Sequence, residues 1–273
     1  LLNSSGKKKK NKSSEFDPAD VFVNAQPHRF RKISEVFISR SHTFLRFNNN
    51  SALCQRFIIF GKVFLTAIMK NKILLPLFYL PPISWFSLFV REDNGILLEQ
   101  FENFPKQTYR NRAAIYGANG KLALIVPIKH NGKRVMKDIE ISYAEDWQKL
   151  HWKSIKTAYQ STPYFEFYED RLKSIFDQKI TSLLDFNLNA LKVVLKILKK
   201  ERHFGLTDEY IKSPETKDFR EKFSAKSESE MDMPEYYQSF SDKYGFIKDL
   251  SILDLLCNIG PESVTYLKNL QLK

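Results

Sequence analysis

The sequence predicts an α+β fold. Three observations carry that prediction. β-prone segments crowd the stretch just beyond residue 68, helical periodicities fill the second half, and an Asn119-Gly120 hairpin signal lies between them. Strands first and helices after favour α+β over a doubly wound sheet.

The first quarter of the chain has a different character. Residues 1–68 hold 12 Lys/Arg and 4 Asp/Glu, against 31 and 27 in the remainder, so most of the net charge of +12 sits there. They include the run Lys7-Lys8-Lys9-Lys10, begin at Leu1, and lack the order of a signal peptide. The apolar stretch 57–69 is interrupted by Lys62 and is too short for a membrane span. Met69 is therefore read as the natural start, with 1–68 a non-native or disordered basic leader and 69–273 a single globular domain. The alternative is a basic tail that docks on nucleic acid or lipid.

Residues 73–90 are apolar enough to resemble a membrane helix, but Pro76, Pro81 and Pro82 break them. A buried strand to about Tyr79, a turn, and a short helix from about Pro82 fit better. Asp93-Asn94-Gly95 reads as a turn and residues 96–99 as a second strand. The hairpin follows, near 109–116 and 121–129. A further strand is expected over 138–142. Asp146 is placed to cap a helix to about Gln160 whose apolar face includes Trp147, His151, Ile155, Ala158 and Tyr159. Helices are expected over 164–176 and from Ser182, where Asp185 stands three residues on. Leu184, Leu188, Leu191, Leu195 and Leu198 form the core stripe of the second. Residues 205–235 read as a mobile loop or lid. A helix from Ser251, with Asp254 at the capping-box position, runs to about Ile259. Gly260-Pro261 then breaks it before a last helix to Leu270.

The open end of the hairpin gathers polar chemistry. With Asn119-Gly120 as a two-residue loop, Tyr109 falls opposite His130 and Arg110 opposite Lys129. Arg110, Arg112 and Lys129 then share one face, with Tyr109, Asn111 and His130 on the other. Two arginines on one face can fork onto phosphate or carboxylate oxygens. Tyr109, Arg110, Asn111 and Arg112 are the expected ligand-binding residues. His130, beside the Asn131-Gly132 turn, and His151, on its helix, are the candidate acid/base groups. The plainer alternatives are a charged edge strand, a loop histidine and a core histidine. Cys257, in an apolar helix with no base beside it, reads as inert.

Two cysteines, Cys54 and Cys257, cannot build a disulfide framework, which suits a cytoplasmic protein. No zinc spacing, GxGxxG or P-loop occurs, so no metal and no cofactor is expected. Acids balance the basic residues beyond 68, which argues against a specific nucleic-acid surface. No transmembrane segment is expected, which leaves room for peripheral membrane contact.

From Met69 onward the sequence resembles the WbqC-like proteins, over about residues 72–269. Tyr79-Leu80-Pro81 is similar to the family's N-terminal element. Tyr109-Arg110-Asn111-Arg112, the Gly-Ala-Asn-Gly turn and Val126-Pro127-Ile128-Lys129-His130 are similar to its central hairpin. His151-Trp152, Ala158-Tyr159 and Pro163-Tyr164-Phe165 match the helices that follow, and residues 253–262 its C-terminal signature. Many members carry His-Gln-Pro-Asn where this chain has Leu75-Pro76-Leu77-Phe78, and Cys257 stands where an apolar aromatic is usual. Members are often encoded beside surface-polysaccharide genes. The resemblance thus implies a role in glycan assembly: a transferase of acyl or aminoacyl groups acting on an activated or lipid-linked sugar, or a non-catalytic module that binds such intermediates. The expected partner is a sugar or phosphate-bearing small molecule.

Overall fold

The proline-broken apolar run becomes a strand and a helix. In the computed structural model, which describes residues 72–91, 95–212, 214, 216–226, 229 and 231–271, β1 spans Lys72–Pro76 and α1 spans Ile83–Phe89, with Pro82 at the N-cap. Segment 1–68, the boundary at 69 and the Asp93-Asn94 turn lie outside the described residues. The Trp85 indole N–H donates to the Pro76 carbonyl at 2.9 Å, fixing the helix against the strand it follows. The Asp249 carboxylate accepts from the Ser84 N–H and hydroxyl, both at 2.7 Å, and so serves the free donors of the first turn. α1 is the crossover that a parallel pair needs, and β2 (Gly95–Glu99) runs parallel to β1.

The hairpin forms, but its turn lies one residue earlier than expected. β3 (Arg112–Gly117) and β4 (Gly120–Ile125) pair antiparallel, with Gly117 opposite Gly120 and Arg112 opposite Ile125. Ala118-Asn119 makes the loop, and Gly120 supplies a φ of +92° as the first residue of β4. The register moves by two, which keeps the side-chain faces. Tyr109 and Arg110 fall in turns before β3, so neither pairs with His130 or Lys129. The strand expected over 138–142 is absent. A 3-10 turn occupies Met136–Asp138, and single bridges join Ile128 to Ile141 and Glu140 to Ser182. Pro127 has no N–H to extend a ladder there.

α2 (Trp147–Tyr159) starts after Asp146, whose side chain makes no capping bond. α3 (Phe165–Lys173) stops three residues short of the expected end, in a turn closed by the Phe176 N–H on the Lys173 carbonyl. α4 (Leu183–Ile197) is capped as expected, with the Ser182 hydroxyl accepting from the Asp185 N–H at 3.2 Å. It buries Leu184, Leu191 and Leu195.

The expected loop at 205–235 contains two strands. β5 (Phe204–Leu206) pairs parallel with β2, and β6 (Lys217–Asp218) pairs parallel with β1. The sheet order is β5-β2-β1-β6. Strands of two and three residues flanked by charged side chains carry no alternation that a sequence reading can detect. The fold remains α+β: strands lie mostly early, helices later, and the parallel sheet stands apart from the antiparallel pair.

The chain closes through α5 (Ser241–Tyr244), α6 (Ile252–Ile259) and α7 (Ser263–Asn269), the last two joined by a 3-10 turn at Gly260–Glu262. Ser251 caps α6. Asp254 does not complete a capping box. Its buried carboxylate accepts from the Tyr236 hydroxyl at 2.6 Å and the Gln238 amide at 2.9 Å, and burial raises its pKa to about 6. Cys257 is fully buried, and burial pushes its thiol pKa up, as an inert thiol requires.

Gly260 is held at φ +53°, and a Cβ there would meet the Tyr164 ring at 2.4 Å. Left-handed backbone and overpacking both oppose a side chain. Gly260→Ala should lower stability by about 2–4 kcal/mol, measured by urea unfolding. A change below 0.5 kcal/mol, within the range of ordinary surface substitutions, would show that the ring moves aside freely.

Candidate functional site

A cavity of about 900 Å³ opens where β3 and β4 end toward residues 126–134. Asn111 and Arg112 lie on one side and Ile125–His130 on the other. The 103–107 segment closes the cavity, held to 134–136 by the Phe104 N–H on the Arg134 carbonyl at 2.7 Å and the Met136 N–H on the Glu102 carbonyl at 2.9 Å. Lys106, Arg112, Lys129, His130, Lys133 and Arg134 line it, and its lining contains no Asp or Glu. Glu140, just outside, pairs with Lys129 at 3.0 Å and Lys133 at 2.5 Å. Lys106, Arg112 and Arg134 form no ion pair among the described residues.

Two polar atoms in the cavity wall are unusual. The Arg112 Nε–H is buried without an acceptor, and Asn111 Oδ1 is buried without a donor. Asn111 is held in place otherwise: its Nδ2 donates to the Val126 carbonyl at 2.9 Å, while the Val126 N–H donates to the Asn111 carbonyl at 2.8 Å. An unmade hydrogen bond at a buried polar atom costs about 1–3 kcal/mol. Both atoms are shielded from solvent as they stand, so a ligand in the cavity would recover that bond only by turning them toward it.

The other expected site residues are placed elsewhere. Arg110 is 4% exposed and its fork is occupied: Nε and Nη2 donate to the two oxygens of Glu102 at 2.6 and 2.5 Å. It borders a neighbouring cavity. Tyr109 packs in the core, 5.6 Å from the Phe78 ring, and burial raises its hydroxyl pKa. His151 is buried behind the cavity wall. The Tyr79 hydroxyl lies 3.0 Å from its Nδ1, and the Ile125 backbone also contacts the ring as a hydrogen-bond partner. Tyr79, Trp147 and Phe176 rings surround it, and burial drives its pKa down to about 4. His130 is exposed on the rim. The structure thus brings Asn111, Arg112 and His130 together, with Arg110 next door and His151 behind.

Sequence reading missed Lys106, Gln107, Lys133 and Arg134 in this cavity, and Glu102, the acid that pairs with Arg110. Lys133-Arg134 directly after Asn131-Gly132 was the available signal, since a turn beside the hairpin end returns its next residues to the same place.

A cation-lined pocket thus stands at the open end of the hairpin. The chain belongs to the WbqC-like protein family, whose pattern matches residues 78–228. It is similar to the uncharacterized protein Rv1507c of Mycobacterium tuberculosis, at 25% identity over 228 residues, covering 73% of this chain and 98% of that protein. No solved structure matches.

Removing one partner of a buried ion pair leaves an uncompensated charge, at a cost of about 3–5 kcal/mol. Arg110→Ala should therefore destabilise the fold by about that amount, as read from denaturant unfolding. Wild-type stability in that variant would refute the structural assignment.

A histidine pKa lowered from 6.5 to about 4 favours the neutral ring by about 3 kcal/mol. The sign follows from proton binding: the unfolded chain holds more protons between these values, so this stability is complete above pH 6.5 and lost as pH falls through 4. The His151 imidazole resonances should stay in the neutral form at pH 5.5. An NMR titration midpoint above 6 for His151 would contradict its burial.

Proposed function

We propose that the hairpin-end cavity binds the phosphate or carboxylate of an activated or lipid-linked sugar, and that the protein acts there as a cytoplasmic transferase of surface-polysaccharide biosynthesis. The carrying observation is the acid-free cationic lining around the unpaired Arg112 Nε–H. Arg112 holds the anion by its fork, Lys106 and Arg134 add charge, and Asn111 Oδ1 receives a ligand hydroxyl or amine. The family's setting beside polysaccharide genes supplies the sugar. No helix among the described residues is long and apolar enough to cross a membrane, which agrees with a ligand brought to the protein.

In the catalytic reading His130 is the general base. It takes the proton of a sugar hydroxyl or amine as that group attacks the acyl carbonyl, and the donor's leaving group departs. Direct transfer fits because Cys257 is buried and cannot serve as nucleophile. The second reading is a binding module without turnover. It is favoured by one feature, the exposure of His130 on the rim with no hydrogen bond to orient its ring among the described residues.

Arg112→Lys keeps the charge and loses the fork, so it should weaken binding of inorganic phosphate or pyrophosphate by about 1–3 kcal/mol in calorimetry. Unchanged binding would remove the anion clamp. His130→Ala should spare that binding and lower turnover by about 10²–10⁴-fold if it is the base. Equal turnover would remove His130 as the base, whereas phosphate binding with no turnover in the wild type would leave the module reading.

A further inference from the structure

A second cavity, of about 970 Å³, lies at the carboxyl ends of the parallel strands. The chain runs from β1 to β2 and outward to β5, then returns to the far side of β1 as β6. Open parallel sheets bind ligands at the carboxyl edge where the strand order reverses in this way. Segments leaving β2, β5 and β6 line the cavity through Glu102, Tyr210, Asp218 and Arg220, together with Arg110.

The chemistry of its floor differs from that of the first cavity. Arg110 and Arg220 are each at most 7% exposed and are already paired with carboxylates. Glu221 and the lysines Lys106, Lys222 and Lys226 also line the cavity, so its lining carries both signs with cations in excess. A hydroxyl-rich group that reaches the floor can donate to the fixed carboxylates and accept from the fixed guanidiniums. Tyr210 adds a platform. Its side chain is 48% exposed, and the Arg220 guanidinium stands 4.9 Å from its ring centroid, so one face is backed. The apolar face of a sugar ring suits the other.

The two cavities share a wall. Asn103, Lys106 and Gln107 line both, and Gln107 is held at φ +61°, a conformation uncommon for any residue but glycine. We propose that the second cavity takes the hydroxyl-rich sugar ring of the ligand whose anionic group sits beside Arg112, with Tyr210 as its stacking platform. This deepens the anion-clamp reading and rests on it for the position of the phosphate.

The test titrates inorganic phosphate, a panel of hexose and N-acetylhexosamine 1-phosphates, and the matching methyl glycosides into the full chain, Arg112→Gln and Tyr210→Ala. The best sugar phosphate should bind at least about tenfold more tightly than inorganic phosphate, a difference of about 1.4 kcal/mol. Tyr210→Ala should erase that advantage and leave phosphate affinity unchanged, while Arg112→Gln weakens both ligands. Tyr210 is exposed enough that its loss should leave folding intact. The proposal is overturned if no sugar phosphate outbinds phosphate, or if Tyr210→Ala keeps the advantage. If phosphate fails to bind but a methyl glycoside shows saturation transfer that Tyr210→Ala abolishes, the Arg112 clamp is wrong and the sugar cavity stands. Binding of neither probe overturns both.

Discussion

The lattice of three carboxylates and two guanidiniums at the end of the parallel sheet, buried except at Asp218, is the constraint on which the rest of the structure depends. Arg110 forks onto Glu102 and also donates to the Arg220 carbonyl at 3.3 Å. Arg220 in turn holds Asp218, the last residue of β6, and Glu99, the last of β2. Glu99 accepts from the Thr207 hydroxyl at 2.8 Å, just past β5, and Asn187 of α4 donates to the Arg110 carbonyl at 2.8 Å. Burying a charge is costly unless it is paired and hydrogen-bonded. Asp218 pairs locally with Arg220, but Arg220 also holds Glu99 of β2 and Arg110 reaches both Glu102 and the Arg220 carbonyl, so the sheet edge, the approach to the hairpin and α4 must be assembled together.

That lattice also explains how two cavities of different character stand side by side. On one side of the 103–107 segment, carboxylates pair with guanidiniums on a floor that lysines also border. On the other, cations gather without lining acids, and the nearest carboxylate, Glu140, is shared by two lysines. Glu102 marks the division: its side chain faces Arg110 on the lattice side, while its carbonyl accepts from Met136 on the other. Burial raises the Glu102 pKa, and only the adjoining arginines oppose that, so losing Arg110 would favour a neutral Glu102.

The legible parts of the fold were those with strong local signals. The proline-broken run, the Ser182 cap and the leucine stripe of α4 each encode their structure within a few residues. The hairpin was legible as a hairpin, but its register depended on whether Gly120 lay inside the turn or just after it. β5 and β6 were not legible because their pairing is set by distant partners: β6 has two residues, and its place beside β1 rests on contacts such as the Phe219 N–H on the Leu74 carbonyl at 2.9 Å. The candidate site was legible in composition and not in allocation. Tyr109-Arg110-Asn111-Arg112 was recognisable as dense in hydrogen-bonding groups, but nothing local told which of them faced an acid.

The separation of Arg110 from Arg112 shows why. On a continuous strand the two would project from one face and act on one ligand. Here the ladder stops at Arg112, and residues 106–110 turn. Only beyond the end of the strand is Arg110 free of the alternation, and it swings to Glu102, eight residues back in sequence. Arg112, still in the strand, keeps the direction the pleat gives it and finds no acid. A guanidinium with a buried carboxylate partner is part of the framework, whereas one whose Nε–H is buried with nothing to receive it retains unused binding capacity. The residue that ends the strand ladder is therefore the one left for a ligand.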